Sequence, residues 1–338
     1  MPPARPTIRD VALKAGMSKS LVSLALSGSP KVSPASRERI EKAAADLGYR
    51  PNATARSLSV RRSKTIGVLI LDLHNPVFAE ILDGVQSEVR QFGFKTMLVT
   101  GGDNPSLEQE EIEKLLEFQV EGLILISHRL SHEVLQKFAA EVPTVVVTRD
   151  DFAGSGIDTV RNDDVAGARL AVDHLVSLGH RRIVCLNGGD NPVSHLRAQG
   201  YSEAMTAHSL ADQIHVVPGG LTESGGYKAA EAALVLGPTA LVVANDIAAI
   251  GAIAAVENAG HRVPENISVI GYDGISLGGL RRISLTTIAQ PLAQLGRWSA
   301  ERILGRIADP SGTAHHDLLA SELVVRGTTG PVPITSVN

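Results

Sequence analysis

Beyond residue 64 the chain repeats one pattern, a short run of β-branched and aliphatic residues followed by a stretch with helical spacing. Such runs stand at Thr65–Leu71, Thr96–Thr100, Gly122–Ser127, Thr144–Thr148, Ile183–Asn187, Ile214–Val217, Ala240–Ala244 and Ser268–Tyr272. A strand that is apolar at successive positions has no face to offer water. It must be covered on both sides, which parallel sheets wound with crossover helices achieve. Two successive sets of runs, split near residue 162, predict two doubly wound parallel-sheet subdomains in a body long enough for two domains of ordinary size.

The first sixty-three residues are different. They carry twelve Lys and Arg against four Asp and Glu, a net of +8, whereas the other 275 carry twenty against thirty-two, a net of −12. A basic head on an acidic body is the electrostatic footprint of a module that displaces counterions from phosphate. Charge alone fits a solvated face equally well, but the spacing is more specific. Thr7 and Asp10 form the S/T-x-x-acid start of a helix, Ile8, Val11, Ala12 and Ala15 give it one apolar face, and Gly16 ends it. Ser18 can cap a second helix over Lys19 to Leu26 with Gly28 beyond it. Ser33 and Pro34 open a third, on which Ile40, Ala43, Ala44 and Leu47 repeat before Gly48. The first two read as a helix-turn-helix, and the head as a small all-α unit.

Two motif runs in the head, Thr-Ile-Arg-Asp-Val-Ala-Leu-Lys-Ala-Gly-Met-Ser (7–18) and Leu-Gly-Tyr-Arg-Pro-Asn-Ala-Thr-Ala-Arg-Ser-Leu (47–58), together with Pro-Lys-Val-Ser (30–33), resemble the LacI/GalR family of bacterial transcriptional regulators. The resemblance continues in Asn-Pro-Val-Phe-Ala-Glu-Ile-Leu-Asp-Gly (75–84), Ala-Asn-Asp (244–246), Gly-Tyr-Asp (271–273) and Leu-Thr-Thr-Ile-Ala-Gln-Pro (285–291), and so covers nearly the whole chain. It implies a helix-turn-helix domain at 1–51, a hinge at 52–63 and a periplasmic-binding-protein-like body at 64–338. The body would divide into an N-subdomain of about 64–161 plus 291–321 and a C-subdomain of about 162–290 plus 322–338, with three crossings and a ligand cleft between them.

By the same resemblance the second helix enters the major groove, where base edges display a readable donor and acceptor pattern. Thr7, Ser18, Lys19, Ser20, Ser23 and Leu24 are the head residues expected at DNA, with Lys19 the strongest reader because it can donate to guanine O6 and N7. Leu21 and Leu24 depart from the family, which usually has Thr and Arg there. Leu24 either touches a thymine methyl or packs against the head core. In the hinge, Asn52 can cap a helix over Ala53 to Leu58 that is too short to stand alone in water. The resemblance places Asn52, Ala55 and Arg56 at the DNA and makes Leu58 a minor-groove wedge. An ordinary basic linker is the alternative.

For the cleft, the residues after the strand ends are the ones to inspect. They include Asp72, His74, Asn75 and Phe78, then His128 and Arg129, then Arg149 and Asp150, and in the second half Arg197, Asn245, Asp246, Asp273 and Gln290. Arg and carboxylate groups each hold neighbouring hydroxyls in pairs, and an aromatic covers the apolar face of a sugar ring. Arg197, within Arg-x-x-Gly-Tyr, and Asp246, within Ala-Asn-Asp, match family motifs whose Arg and Asp contact the effector. Asn75, Phe78 and Gln290 match positions of sugar-binding relatives, and Arg149 and Asp273 complete the set. Each has a structural alternative: Asn75 and Asp273 as helix caps, Phe78 as core, Gln290 as a hinge brace. Leu221 replaces an aromatic stacking residue of several relatives, which points to a different ring or a smaller sugar.

Other functions have less support. There is no phosphate-cradling Gly-x-x-x-x-Gly-Lys and no His-Glu-x-x-His. His315 and His316 fall in an expected loop, and His180-Arg181-Arg182 reads as a positively charged helix end. No metal and no cofactor is expected. Cys185, the single cysteine, reads as a small core residue in a reducing compartment. No apolar run approaches a membrane span, and residues 1–12 lack a secretory signal, so a cytoplasmic protein without membrane association is expected. The chain after Val325 has no leucine heptad, which favours a homodimer over a tetramer. The expected partners are double-stranded operator DNA and a small effector, a sugar, polyol or nucleoside. Two rivals share the architecture: a periplasmic sugar-binding protein, and an enzyme of sugar or nucleoside metabolism.

Overall fold

The computed structural model describes residues 6–26, 28–49, 62–149, 152 and 156–332, which form two compact units divided between Lys64 and Thr65. Among the described residues the head has three helices, α1 (Ile8–Ala15), α2 (Lys19–Leu26) and α3 (Pro34–Leu47). At the start of α1 the Asp10 carboxylate accepts from the Thr7 amide at 2.7 Å and its hydroxyl at 2.8 Å, and Gly16 ends the helix at φ 64°. The Ser18 hydroxyl accepts the Leu21 N–H at 3.2 Å, and Ser33 accepts that of Ser36 at 3.3 Å. Val11, Val22 and Ile40, one from each helix, are fully buried at the centre of a small core filled out by alanines. Two of the head's arginines are used internally. Arg37 donates to the carbonyls of Ala25 and Ser29, and Arg39 to that of Ala15, so both place positive charge at helix C-termini.

The body contains two six-stranded sheets. The first is ordered β11–β5–β4–β3–β1–β2, from β1 (Thr65–Ile70), β2 (Lys95–Thr100), β3 (Gly122–Ile126), β4 (Thr144–Val147), β5 (Asp158–Asn162) and β11 (His316–Leu319). The second is ordered β12–β10–β9–β8–β6–β7, from β6 (Ile183–Asn187), β7 (His215–Pro218), β8 (Ala240–Val243), β9 (Ser268–Asp273), β10 (Thr286–Ala289) and β12 (Glu322–Val324). The helices are α4 (Pro76–Gln91), α5 (Pro105–Glu117), α6 (His132–Glu141), α7 (Asp164–Ser177), α8 (Pro192–Ala207), α9 (Glu223–Leu234), α10 (Asp246–Asn258) and α11 (Leu292–Ala308). Helices α4 and α11 cross at a pair of glycines: a Cβ on Gly84 would lie 2.2 Å from the Ala293 carbonyl oxygen, and one on Gly296 would lie 2.0 Å from that of Ile81. Only residues without side chains let these backbones meet.

The chain passes from the first sheet to the second after Asn162, returns after Ala289, and crosses again after Leu319. Four strands are absent from the sequence reading: β5, β10, β11 and β12. Asp-Thr-Val-Arg-Asn and His-Asp-Leu-Leu lack a continuous apolar run, and Glu-Leu-Val is too short to register. The second sheet is also not wholly parallel, since β12 runs antiparallel to β10. His316 opens β11 rather than sitting in a loop, and its Nδ1 lies 2.9 Å from the Thr159 hydroxyl. His180 is likewise not a charged helix end. It is fully buried, its ring nitrogens contact Thr239, Ser268 and the Gly330 carbonyl, and burial pushes its pKa below the ordinary histidine value. Cys185 is buried in β6, and burial pushes its thiol up to about 12.

Candidate functional site

A cleft of about 290 Å³ lies beyond the carboxyl ends of the two sheets. From the first sheet, the turn after β1 contributes Asp72, His74, Asn75 and Phe78. The turns after β3 and β4 contribute Ser127, His128, Arg129, Thr148 and Arg149. The second sheet side contributes Asp164, Asn191, Arg197, Leu221, Thr222, Glu223, Asn245, Ile247 and Asp273, and the crossings contribute Asn162 and Gln290. Strand ends gather these side chains because each strand of a parallel sheet releases its chain on the same edge.

The floor of the cleft is a charge cluster on Arg197. Its Nε donates to Asp164 Oδ1 at 2.8 Å, and its Nη1 donates to the Ala244 carbonyl at 2.6 Å and to Asp273 Oδ1 at 3.1 Å. The guanidinium lies 3.7 Å from the centroid of the Tyr272 ring. Burial by itself would lower the Arg197 pKa, but Asp164 and Asp273 outweigh it and hold the cation above its ordinary value. Burial pushes the Asp273 carboxyl upward while Arg197 pulls it back. Gln290 Nε2 completes the cluster by donating to Asp273 Oδ1 at 2.7 Å. A second chain of bonds adjoins it: Asn162 Nδ2 donates to the Tyr272 hydroxyl at 2.9 Å, and Ser321 donates to Asn162 Oδ1 at 2.6 Å. Side chains from all three crossings thus take part in one polar assembly.

Of the expected cleft residues, Asn75, Phe78, Arg149, Arg197, Leu221, Asp273 and Gln290 line the cavity. Several alternatives prove compatible with it. Asn75 Oδ1 caps α4 through the Val77 N–H at 3.1 Å, and Phe78 belongs to the core of the first sheet with 4% of its surface exposed, while both still face the cleft. Asp273 caps no helix; it faces Arg197 and Gln290. Arg149 donates to the His128 carbonyl at 3.0 Å and lies over the Phe152 ring.

Asp246 differs from its expectation. It is fully buried and does not line the cavity. Its Oδ2 accepts the Gly274 and Ile275 N–H groups at 2.9 Å each, and its Oδ1 accepts the Thr287 hydroxyl at 2.5 Å. Burial, with Asp273 nearby, raises its carboxyl to about 7. The first residue of α10 points its side chain back under the sheet edge, whereas the N-cap position faces out, so the neighbouring Asn245 takes the place at the cleft. Asn245 caps α10 through the Ala248 N–H at 2.9 Å and donates to the Leu221 carbonyl at 3.0 Å. Asn162, Asp164 and Asn191 were not singled out from sequence. The polar triplet Asn162-Asp163-Asp164, at the break between the two sets of strands, was the available signal for the first two.

In the head, Lys19, Ser20, Ser23 and Leu24 are exposed on α2, while Val22 and Ala25 are buried. Leu24 is 41% exposed and lies outside the head core, whereas Leu21 packs against it. The Ser18 hydroxyl and the Thr7 hydroxyl are engaged at helix starts. Asn52, Ala55, Arg56 and Leu58 lie outside the described residues. Among the described residues no cluster of His, Cys, Asp and Glu could hold a metal ion, and no helix is long and apolar enough to cross a membrane.

Residues 63–325 match the family model for periplasmic binding proteins and the sugar-binding domain of the LacI family, and residues 7–52 match that for bacterial regulatory proteins of the lacI family. The HTH-type transcriptional repressor CytR of Escherichia coli (strain K12) is 34% identical, with 97% of each chain covered. The ribose operon repressor of the same strain is 34% identical over 95% of this chain and 99% of its own. The fold is similar to that of the lac repressor dimer bound to operator and the anti-inducer ONPF, with a TM-score of 0.86, 31% identity, and 97% and 100% of the two chains covered. A LacI-family regulator from Enterococcus faecium with bound ribose has a TM-score of 0.71 at 30% identity, covering 79% of this chain and 99% of that one. These relatives are regulators and not enzymes. With a helix-turn-helix head matched at one end and a sugar-binding body over most of the rest, the chain belongs to the LacI family of bacterial transcriptional regulators.

Proposed function

We propose that the protein is a dimeric repressor that binds a pseudopalindromic operator and is controlled by a small polyhydroxylated effector, a sugar or nucleoside, held in the cleft. The observation that carries this reading is the fixed Arg197 cation between Asp164 and Asp273, set in the cleft floor where the crossings meet. A guanidinium with its carboxylates already in place presents a preorganised set of donors and acceptors for vicinal hydroxyls, and Phe78 and Leu221 supply apolar faces for a ring. The ribose operon repressor among the relatives, and the ribose-bound Enterococcus faecium regulator, make pentoses the first compounds to test.

In this reading residues 1–51 read the operator. The exposed face of α2 carries Lys19, Ser20, Ser23 and Leu24 to base edges, and Thr7 and Ser18 stand near phosphate. Residues 52–63 are the hinge, with Asn52, Ala55 and Arg56 at the DNA and Leu58 as its wedge, and 64–338 are the effector and dimerisation body. Such a protein works on chromosomal DNA in the cytoplasm. An effector acts by binding the two arrangements of the body unequally, with a coupling of about 1–3 kcal/mol that is reciprocal between cleft and operator.

The test is a thermal-shift panel of pentoses, hexoses, polyols, nucleosides and sugar phosphates on the full-length protein, followed by operator titration with any compound that binds. One saturable shift, with a change in operator affinity, is the expected result. A compound that is turned over chemically, or operator binding that survives loss of residues 1–63, would defeat the reading.

A further inference from the structure

One carboxylate is buried outside the cleft but is tied to its wall. Glu108, in the first turn of α5, is fully buried. It lies against Gly101, where a Cβ would come within 2.0 Å of the Glu108 Cγ, so only glycine admits it there. Its Oε2 accepts the Arg129 N–H at 2.7 Å, and the Leu130 amide faces the same carboxylate. Its Oε1 has no hydrogen-bond partner among the described residues. A buried carboxylate with one oxygen unmatched carries a desolvation cost, which the hydrogen bond from the Arg129 N–H offsets in part.

What the position gains lies in the turn that it holds. Arg129 and its neighbours Ser127 and His128 form the turn after β3 and line the cleft, with Ser127 in the left-handed region at φ 57°. A second tie runs from the Arg129 side chain to Asp103, in the turn after β2. That turn is joined in its own right to the end of β1, because the Gly102 N–H donates to the carbonyl of Leu71, another cleft residue, at 2.9 Å. Glu108 therefore sits beneath the turns after β2 and β3, the second of which lines the cleft on the side of the first sheet.

We propose that Glu108 is the positioning residue of this wall: without touching a ligand, its carboxylate fixes where His128 and Arg129 stand. The inference rests on the cleft being the effector site only for what the wall meets. Its geometry can be tested with no ligand at all. Glu108→Gln keeps the volume but turns one oxygen into a donor, which faces either the Arg129 N–H or the buried corner where Oε1 receives no hydrogen bond.

Hydrogen exchange, read by mass spectrometry on the unliganded full-length protein, separates the outcomes. In Glu108→Gln, amides of residues 127–130 should exchange about tenfold faster or more, while those of β1, β3 and the second sheet keep their protection. Asp103→Asn, which weakens only the side-chain tie, should leave residues 127–130 protected. Unchanged exchange at 127–130 in Glu108→Gln overturns the proposal, as does acceleration spread over the whole first sheet, which would make Glu108 a fold-stabilising residue only. Acceleration in Asp103→Asn alone would assign the wall to the ion pair instead. Ribose titrated into the wild-type protein tests the other reading: no binding there counts against a pentose effector and leaves the exchange result on Glu108 intact.

Discussion

Ser321 donates to Asn162 Oδ1 at 2.6 Å, joining the third crossing to the first across 159 residues of sequence. Asn162 faces the cleft, and its Nδ2 is bonded to the Tyr272 hydroxyl, against whose ring the Arg197 guanidinium rests. A ligand seated on the floor therefore lies one hydrogen bond away from the strands that must move if the two sheets rotate against each other. Ser321→Ala should leave the fold intact and reduce the effector-dependent change in operator affinity by about 1 kcal/mol. Operator titrations with and without the saturating compound measure this, and an unchanged ratio of the two affinities would remove Ser321 from the coupling.

Arg197→Leu removes a buried cation and leaves Asp164 and Asp273 facing each other without it. Breaking a buried pair in this way costs about 3–5 kcal/mol, because the remaining charges have no solvent to turn to. Urea unfolding of the variant should show a loss of this size, together with loss of effector binding. A loss under about 1 kcal/mol would mean that the cluster is solvated or its carboxyls are neutral.

Asp246 gives a prediction in pH. Its folded carboxyl is raised to about 7, so between the ordinary aspartate value near 4 and about 7 the native state holds a proton that the unfolded state has released. The stability that this proton contributes is fully present below the ordinary value and is lost as pH rises through about 7. Asp246→Asn keeps one acceptor oxygen and cannot titrate. The difference in unfolding free energy between wild type and variant should shift in favour of the variant as pH rises from about 5 to 8. A difference independent of pH would show that Asp246 stays ionised throughout. Effector binding should be perturbed only through the groups that Asp246 holds, the Gly274–Ile275 turn and the Thr287 hydroxyl, and so less than by Arg197→Leu.

On the DNA side, Lys19→Ala should weaken specific operator binding by about 1–3 kcal/mol and relax discrimination at one base pair. Leu58→Ala should lower specific affinity strongly with little effect on nonspecific binding, as expected of a minor-groove wedge. Titrations against operator and scrambled duplex at fixed salt distinguish the two effects. Equal loss on both duplexes would make Lys19 a phosphate contact, and operator affinity unaltered by Leu58→Ala would reduce residues 52–63 to a plain linker.

The three head helices and eight of the body's strands are legible in the sequence because their signals are local. A cap, a glycine at positive φ, or an unbroken apolar run acts within a few residues. The strands β5 and β11 carry no such run because their partners supply what they lack: Arg306 pairs with the otherwise buried Asp158, and β11 is an edge with its His316 and Leu318 exposed. Nothing within five residues of Asp158 announces an arginine at 306.

The cleft divides in the same way. The residue types at its edge are fixed by where strands end, so Asn75, Phe78, Arg197 and Gln290 can be named from the order of the chain and a family motif. The direction of each side chain is not local. Asn245 and Asp246 are adjacent, yet one faces the cleft and the other is turned inward by two backbone amides and a hydroxyl from 274, 275 and 287. Sequence alone determined the three head helices, the alternation of strand and helix in the body, the separation of basic head from acidic body, and the family. Only the tertiary structure decided which of two neighbouring polar residues faces the cleft, because that depends on which hydrogen-bonding groups from distant segments reach it first.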